Sequence, residues 1–210
     1  MTIAPFHPLH KSAGERMPSL LPSNVSTELL KISTEIADEA ALNAASVDRV
    51  GGFPASDFDR LVDAGLLRAP LRSDLGGIGL GFESNRMGLL LQILKQIGRG
   101  NLSLGRVFEG HVNALQLIQT FAKEEQIRAF AKDAHSRKAF GVWNAEAKDG
   151  VKLYPIGEER YRMEGSKTFC SGCGYVERPF VTDSLPAIAC WSDERLGHLV
   201  SNQDYADSVE

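Results

Sequence analysis

FAKEEQIRAFAKDAHSRKAFGVW, residues 121–143, contains the change of sequence period that decides the fold. In its first half Ile127 and Phe130 share one side of a helix over residues 124–134. Glu124 and Glu125 stand in the solvated first turn, where the helix macrodipole favours acidic groups. Beyond Arg137 the helical spacing stops, and short β-prone pieces separated by turn residues take over. The spacing predicts strands over residues 139–143, 151–156, 160–163, 167–170 and 178–182, with Glu164 and Gly165 suited to a tight hairpin turn.

Upstream, everything reads as helix. Leu104, Val107, Phe108, Val112, Leu115 and Ile118 form one stripe over residues 101–121. Met87, Leu90, Leu94 and Ile97 mark a helix opened by the glycine loop Gly76, Gly77, Gly79 and Gly81 and closed by Gly98. A short helix over residues 54–64 has Pro54 in its first turn, the stripe Phe58, Leu61 and Val62, and Gly65 as a left-handed cap. The first helix runs from about Ser26 through Leu29, Ile32, Ile36 and Ala40, and stops before Gly51 and Gly52. Pro5, Pro8, Pro18 and Pro22 lie among small and polar residues without a sustained period, as in a disordered arm.

Helices first and strands second imply an α+β fold with segregated layers: an all-helical N-terminal domain followed by an incomplete antiparallel β-domain. The expected divisions are an arm over 1–25, a helical domain over 26–136, a partial β-domain over 137–182 and a tail of undefined structure over 183–210.

A length of 210 residues allows one or two domains, and 43% apolar with 24% charged residues is the composition of a globular chain. A net charge of −4 with mixed signs gives no footprint for nucleic acid. No apolar run reaches the roughly 18 residues of a membrane span, and the start lacks a signal-peptide core, so a cytoplasmic protein without a membrane partner is expected.

Three motifs take their structural readings. The run Gly76 to Gly81 gives G-x-G-x-x-G in no register and follows a helix, so it is a loop and not a dinucleotide site. Cys170 and Cys173 have C-x-x-C spacing, but Cys190 is the only other cysteine and no histidine pair completes a metal set; reduced thiols in a β-turn and no metal are expected. His7, His10, His111, His135 and His198 have no recurrent spacing and no nucleophile elbow beside them, as surface or core residues would.

Several segments then fall in a telling order. Gly51-Gly52-Phe53-Pro54 precedes a short helix ending in Ala64-Gly65-Leu66-Leu67, and Pro70 precedes the Gly76-Gly77 loop. Gly98-Arg99, the His111 region and Phe121-Ala122-Lys123-Glu124-Glu125-Gln126 follow. Last come Gly141-Val142-Trp143-Asn144-Ala145-Glu146 and Gly165-Ser166-Lys167-Thr168-Phe169-Cys170-Ser171-Gly172. Over residues 26–182 this order resembles the acyl-CoA dehydrogenase superfamily.

The resemblance implies FAD between the β-domain and a C-terminal helical bundle, with two β-domain segments against the flavin ring. Trp143, Asn144 and Ala145 match the first, with Ala145 and Ala147 in place of the threonine and proline of a common Thr-Glu-Pro sequence. Phe169, Cys170 and Ser171 match the second, where an aromatic plane packs on the ring and a hydroxyl donates to it. The family's phosphate-binding Gly-Ser-Asp has no counterpart in Lys148-Asp149-Gly150-Val151. Its catalytic base belongs to the C-terminal bundle, beyond Glu210, so no catalytic residue is assigned and the chain is expected to be an incomplete one that turns over no acyl-CoA alone.

The implied reaction is oxidation of an acyl-CoA to an enoyl-CoA by an enzyme that is homo-oligomeric at full length. Flavin monooxygenation on the same fold is one alternative, and a non-catalytic remnant is another. Limited proteolysis tests the domain reading: residues 1–22 should be clipped first, and early cleavage within residues 101–121 would contradict it.

Overall fold

The computed structural model describes residues 23–145, 148–157 and 160–182. Most of the expected arm and the whole 183–210 tail therefore lie outside the described residues. Five helices come first: α1 (Ser23–Val50), α2 (Ala55–Asp63), α3 (Met87–Gly100), α4 (Leu102–Phe121) and α5 (Glu124–His135). Four strands follow: β1 (Phe140–Trp143), β2 (Lys152–Gly157), β3 (Arg160–Glu164) and β4 (Arg178–Val181). This is the α+β arrangement of the sequence reading. Ser23, Asn24 and Val25 are helical, so α1 takes in the last residues assigned to the arm.

α4 is the central rod. Leu104, Val107, Phe108 and Val112 enter a core shared with Ile36, Leu61, Leu67, Ile93 and Ile97. Further along, Ala114, Leu115 and Ile118 pack with Leu71, Ile127, Ala131 and Phe140. One helix thus joins the helical core to the first strand.

Gly98 does not end α3, which runs on to Gly100. Its real use is proximity: a Cβ placed on Gly105 of α4 would stand 3.0 Å from the Gly98 Cα, so these two glycines let the helix backbones approach. The stop comes at Asn101, whose extended backbone (φ −150°) breaks the helix and whose side chain accepts from the Leu104 amide at 3.1 Å, capping α4.

The strands form two pairs. β2 and β3 are antiparallel, with Lys152 opposite Glu164 and Tyr154 opposite Arg162. β1 and β4 are parallel, Phe140 opposite Arg178 and Trp143 opposite Val181, because the chain between them is long enough to cross over and return in the same direction.

Two local expectations fail. The antiparallel pair is joined through residues 158–159, which lie outside the described residues, and not through Glu164 and Gly165. Glu164 ends β3, and Gly165 after it, at φ +114°, is tucked against the carbonyls of Asp149 and Gly150. Residues 167–170 form no strand either. Phe169 (φ +54°), Gly172 (+76°) and Gly174 (+88°) carry left-handed backbone that curls the segment into successive turns.

β4 is anchored to α5 by charge. Arg178 Nε and Lys138 Nζ donate to the two oxygens of Asp133 at 2.6 and 2.7 Å. Partial burial raises the Asp133 carboxyl, but the hydrogen bonds and charges of Lys138 and Arg178 outweigh it and hold the group below its ordinary range.

Where α1 meets α3, a Cβ on Gly100 would come within 2.6 Å of the Ala37 Cα. Gly100→Ala is expected to overpack this crossing and cost about 1–3 kcal/mol in urea unfolding. No change in midpoint would contradict the close approach.

Candidate functional site

The site is positioned by one histidine. His111 is fully buried on α4; its Nε2 lies 2.7 Å from the Leu67 carbonyl oxygen, and its Nδ1 accepts from the Phe140 amide at 3.1 Å. A carbonyl only accepts and an amide only donates, so the ring is the neutral tautomer protonated at Nε2. Burial pushes its pKa down to about 4, with the Leu67 carbonyl opposing that shift. Protonation would also place an Nδ1 proton against the Phe140 N–H.

β1 starts from this clamp and leads into the segments of interest. The Thr168 amide donates to the Ala145 carbonyl at 3.0 Å, and Trp143 Nε1 donates to the Ser171 carbonyl at 3.2 Å. Segments 143–145 and 168–171 therefore lie side by side, tied at two points.

The six expected residues differ in presentation. Trp143 is half-buried with its ring N–H engaged, Ala145, Cys170 and Ser171 are half-buried, and Asn144 is exposed. Phe169 is 88% exposed and held at a left-handed φ of +54°, which is uncommon for a bulky residue. The adjacent Glu146 and Ala147 lie outside the described residues.

Beside these segments lies an open cleft of about 520 Å³, lined among others by Phe53, Arg106, Val107, Cys170, Ser171 and Tyr175. Phe53 and Tyr175 stack with ring centres 3.9 Å apart and planes 11° apart. Arg106 pairs with Glu109, which also accepts from Asn113. A second depression, about 430 Å³, is bordered by Asn113, Gln116, Leu117, Thr120 and Val142. Partial burial raises the Cys170 thiol, the neighbouring Cys173 adds to this, and Lys167 opposes it.

Phe53, Arg106 and Tyr175 were not singled out as site residues in the sequence reading. Gly-Gly-Phe-Pro gave Phe53 only as the approach to a helix, and no local pattern marks the other two. Among the described residues, no helix is long and apolar enough to cross a membrane.

Residues 29–138, just over half of the chain, match the family model described as acyl-CoA dehydrogenase, N-terminal domain, so the chain belongs to that family. A curated relative, the probable FMNH2-dependent monooxygenase SfnC of Pseudomonas putida, is 27% identical over 80% of this chain and 39% of its own. The structure of TdsC from Paenibacillus sp. A11-2 with FMN and indole is 25% identical, with TM-score 0.67 over 76% of this chain and 39% of that one. Butyryl-CoA dehydrogenase from Megasphaera elsdenii shares the fold at 16% identity and TM-score 0.65, over 77% and 44% of the two chains. This chain thus spans about two fifths of the length of the curated relative SfnC.

The clamp makes stability depend on acid. Unfolded histidine binds a proton near pH 6.5, whereas folded His111 does so only near 4, so the unfolded state holds more protons between these values. The contribution is complete above 6.5 and falls by roughly 3 kcal/mol as the pH drops to 4. Urea midpoints should decline through that window, and a flat profile would contradict a neutral, buried His111.

Proposed function

We propose that this chain supplies the helical domain and the flavin-facing edge of the β-domain of a flavin-dependent oxidoreductase of monooxygenase type. The carrying observation is the pairing of residues 143–145 with 168–171, of which Cys170 and Ser171 line the cleft and Phe169, next to them in the chain, presents its ring to solvent from a strained backbone. An exposed aromatic plane, a serine hydroxyl and adjacent backbone polar groups suit a flat, amphipathic ring system.

The Phe169 side chain would pack on the flavin face, and the Ser171 hydroxyl would hydrogen-bond its edge. Asn144 and Ala145 would supply backbone contacts, Ala145 having no hydroxyl to offer. Trp143 would act indirectly, by holding the Ser171 peptide, and Cys170, which lines the cleft, would border the ring through its backbone. A bound flavin brings two-electron transfer or, when reduced, oxygen activation.

The resemblance alone favoured FAD and an acyl-CoA substrate. SfnC, described as a probable FMNH2-dependent monooxygenase, and TdsC, described as a dibenzothiophene monooxygenase, are both more similar in sequence than the butyryl-CoA dehydrogenase; they favour monooxygenation, TdsC that of an aromatic sulfur compound, and leave FMN and FAD as alternatives sharing one ring. The aromatic cleft walls Phe53 and Tyr175 suit such a substrate better than an extended chain.

Fluorescence titration of the purified chain with FMN and with FAD tests the reading. Saturable quenching by one of them is expected, weakened roughly fivefold by Phe169→Ala, the equivalent of about 1 kcal/mol for a lost aromatic contact. Phe169 is so exposed that this substitution leaves the core untouched. Unchanged affinity in the variant would remove Phe169 from the site, and absence of binding would favour the non-catalytic remnant.

A further inference from the structure

The proposed flavin contacts assign no chemistry to the two thiols at the cleft. Cys170 and Cys173 are both free, and both line it. The Cys173 amide donates to the Cys170 carbonyl at 3.0 Å, and Gly172 between them has φ +76°. These are the features of a type II turn, with Ser171 and Gly172 as its central residues.

Such a turn brings its end Cα atoms within about 7 Å, and disulfides commonly bridge Cα atoms roughly 4.4–6.8 Å apart. The two residues are therefore connected by a backbone that already suits a bond between them. The turn is also held in place from outside: Trp143 Nε1 donates to the Ser171 carbonyl, and Gly172 packs against Val176, Val107 and Phe53.

We propose that Cys170 and Cys173 form a thiol modification site that reacts with low-molecular-weight disulfides and closes into an intramolecular disulfide, locking the turn that walls the cleft. Cys173, the exposed thiol, attacks as its thiolate: its sulfur bonds to one sulfur of the small disulfide, the S–S bond breaks and one thiolate leaves. Cys170, half-buried and with its thiol pKa raised, is the resolving group. After losing its proton to solvent it attacks the Cys173 sulfur and expels the second small thiolate. Two protein thiols are oxidised by two electrons, and one small disulfide is reduced to two thiols.

The linked turn fixes the Ser171 peptide and the cleft wall between Phe53 and Tyr175. The site thus couples the thiol balance of the surroundings to the shape of the cleft, independently of which ligand occupies it.

The test is incubation of the purified chain with oxidised glutathione, alkylation of remaining thiols, cleavage after glutamate and mass measurement of peptide 165–177, which contains Cys170 and Cys173 but not Cys190. The expected product is that peptide two hydrogens lighter and resistant to alkylation, reverting with reduced glutathione. Cys170→Ser should trap a mixed disulfide with glutathione on Cys173, whereas Cys173→Ser should leave Cys170 at least tenfold slower to react. A peptide alkylated at both thiols, a mixed disulfide persisting in the unsubstituted chain, or pairing with Cys190 would overturn the proposal.

Discussion

A neutral imidazole in the interior joins three parts of the chain that are far apart in sequence. His111 stands on α4, donates to the carbonyl of Leu67 in the segment after α2, and receives the amide of Phe140 at the start of β1. Each hydrogen bond contributes only about 1 kcal/mol net, but leaving a buried backbone group unpaired costs about 1–3 kcal/mol. The clamp therefore works mostly through what its loss would leave exposed to an apolar interior. Because β1 is fixed to α4, β4 aligned on β1 and Asp133 holding Arg178, residues 143–145 and 168–171 are carried to the same edge.

The helices were legible because each buries one continuous stripe, and a stripe needs no knowledge of its partner. Gly98 shows the limit: the same residue type stops a helix or permits two to touch, and only the facing Gly105 decides which. The β-region was harder to read. Residues 167–170 look β-prone, yet their conformation is set by left-handed backbone at Phe169, Gly172 and Gly174 and by a bond to Ala145 that is remote in sequence. The parallel β1–β4 pair is equally non-local.

The candidate site was half legible. Family resemblance named both segments that come together, but not the cleft beside them, since Phe53, Arg106 and Tyr175 come from three separate stretches. His111 appeared in the sequence as one histidine among five without a pattern. Its importance lies in two backbone partners, which no side-chain motif records. A scaffold held by backbone groups can keep its fold while the chemistry beside it varies, which fits the likeness of this fold both to TdsC and to a butyryl-CoA dehydrogenase.

The most direct test of this account is the tautomer of His111, read from the nitrogen chemical shifts and ring-proton couplings of the 15N-labelled chain at neutral pH. One neutral imidazole is expected, with a proton fixed on Nε2 and an accepting Nδ1 coupled across a hydrogen bond to the Phe140 amide. A His111 ring protonated at Nδ1, or averaging between tautomers as in water, would contradict the clamp and with it the placement of the β-segments on the helical domain.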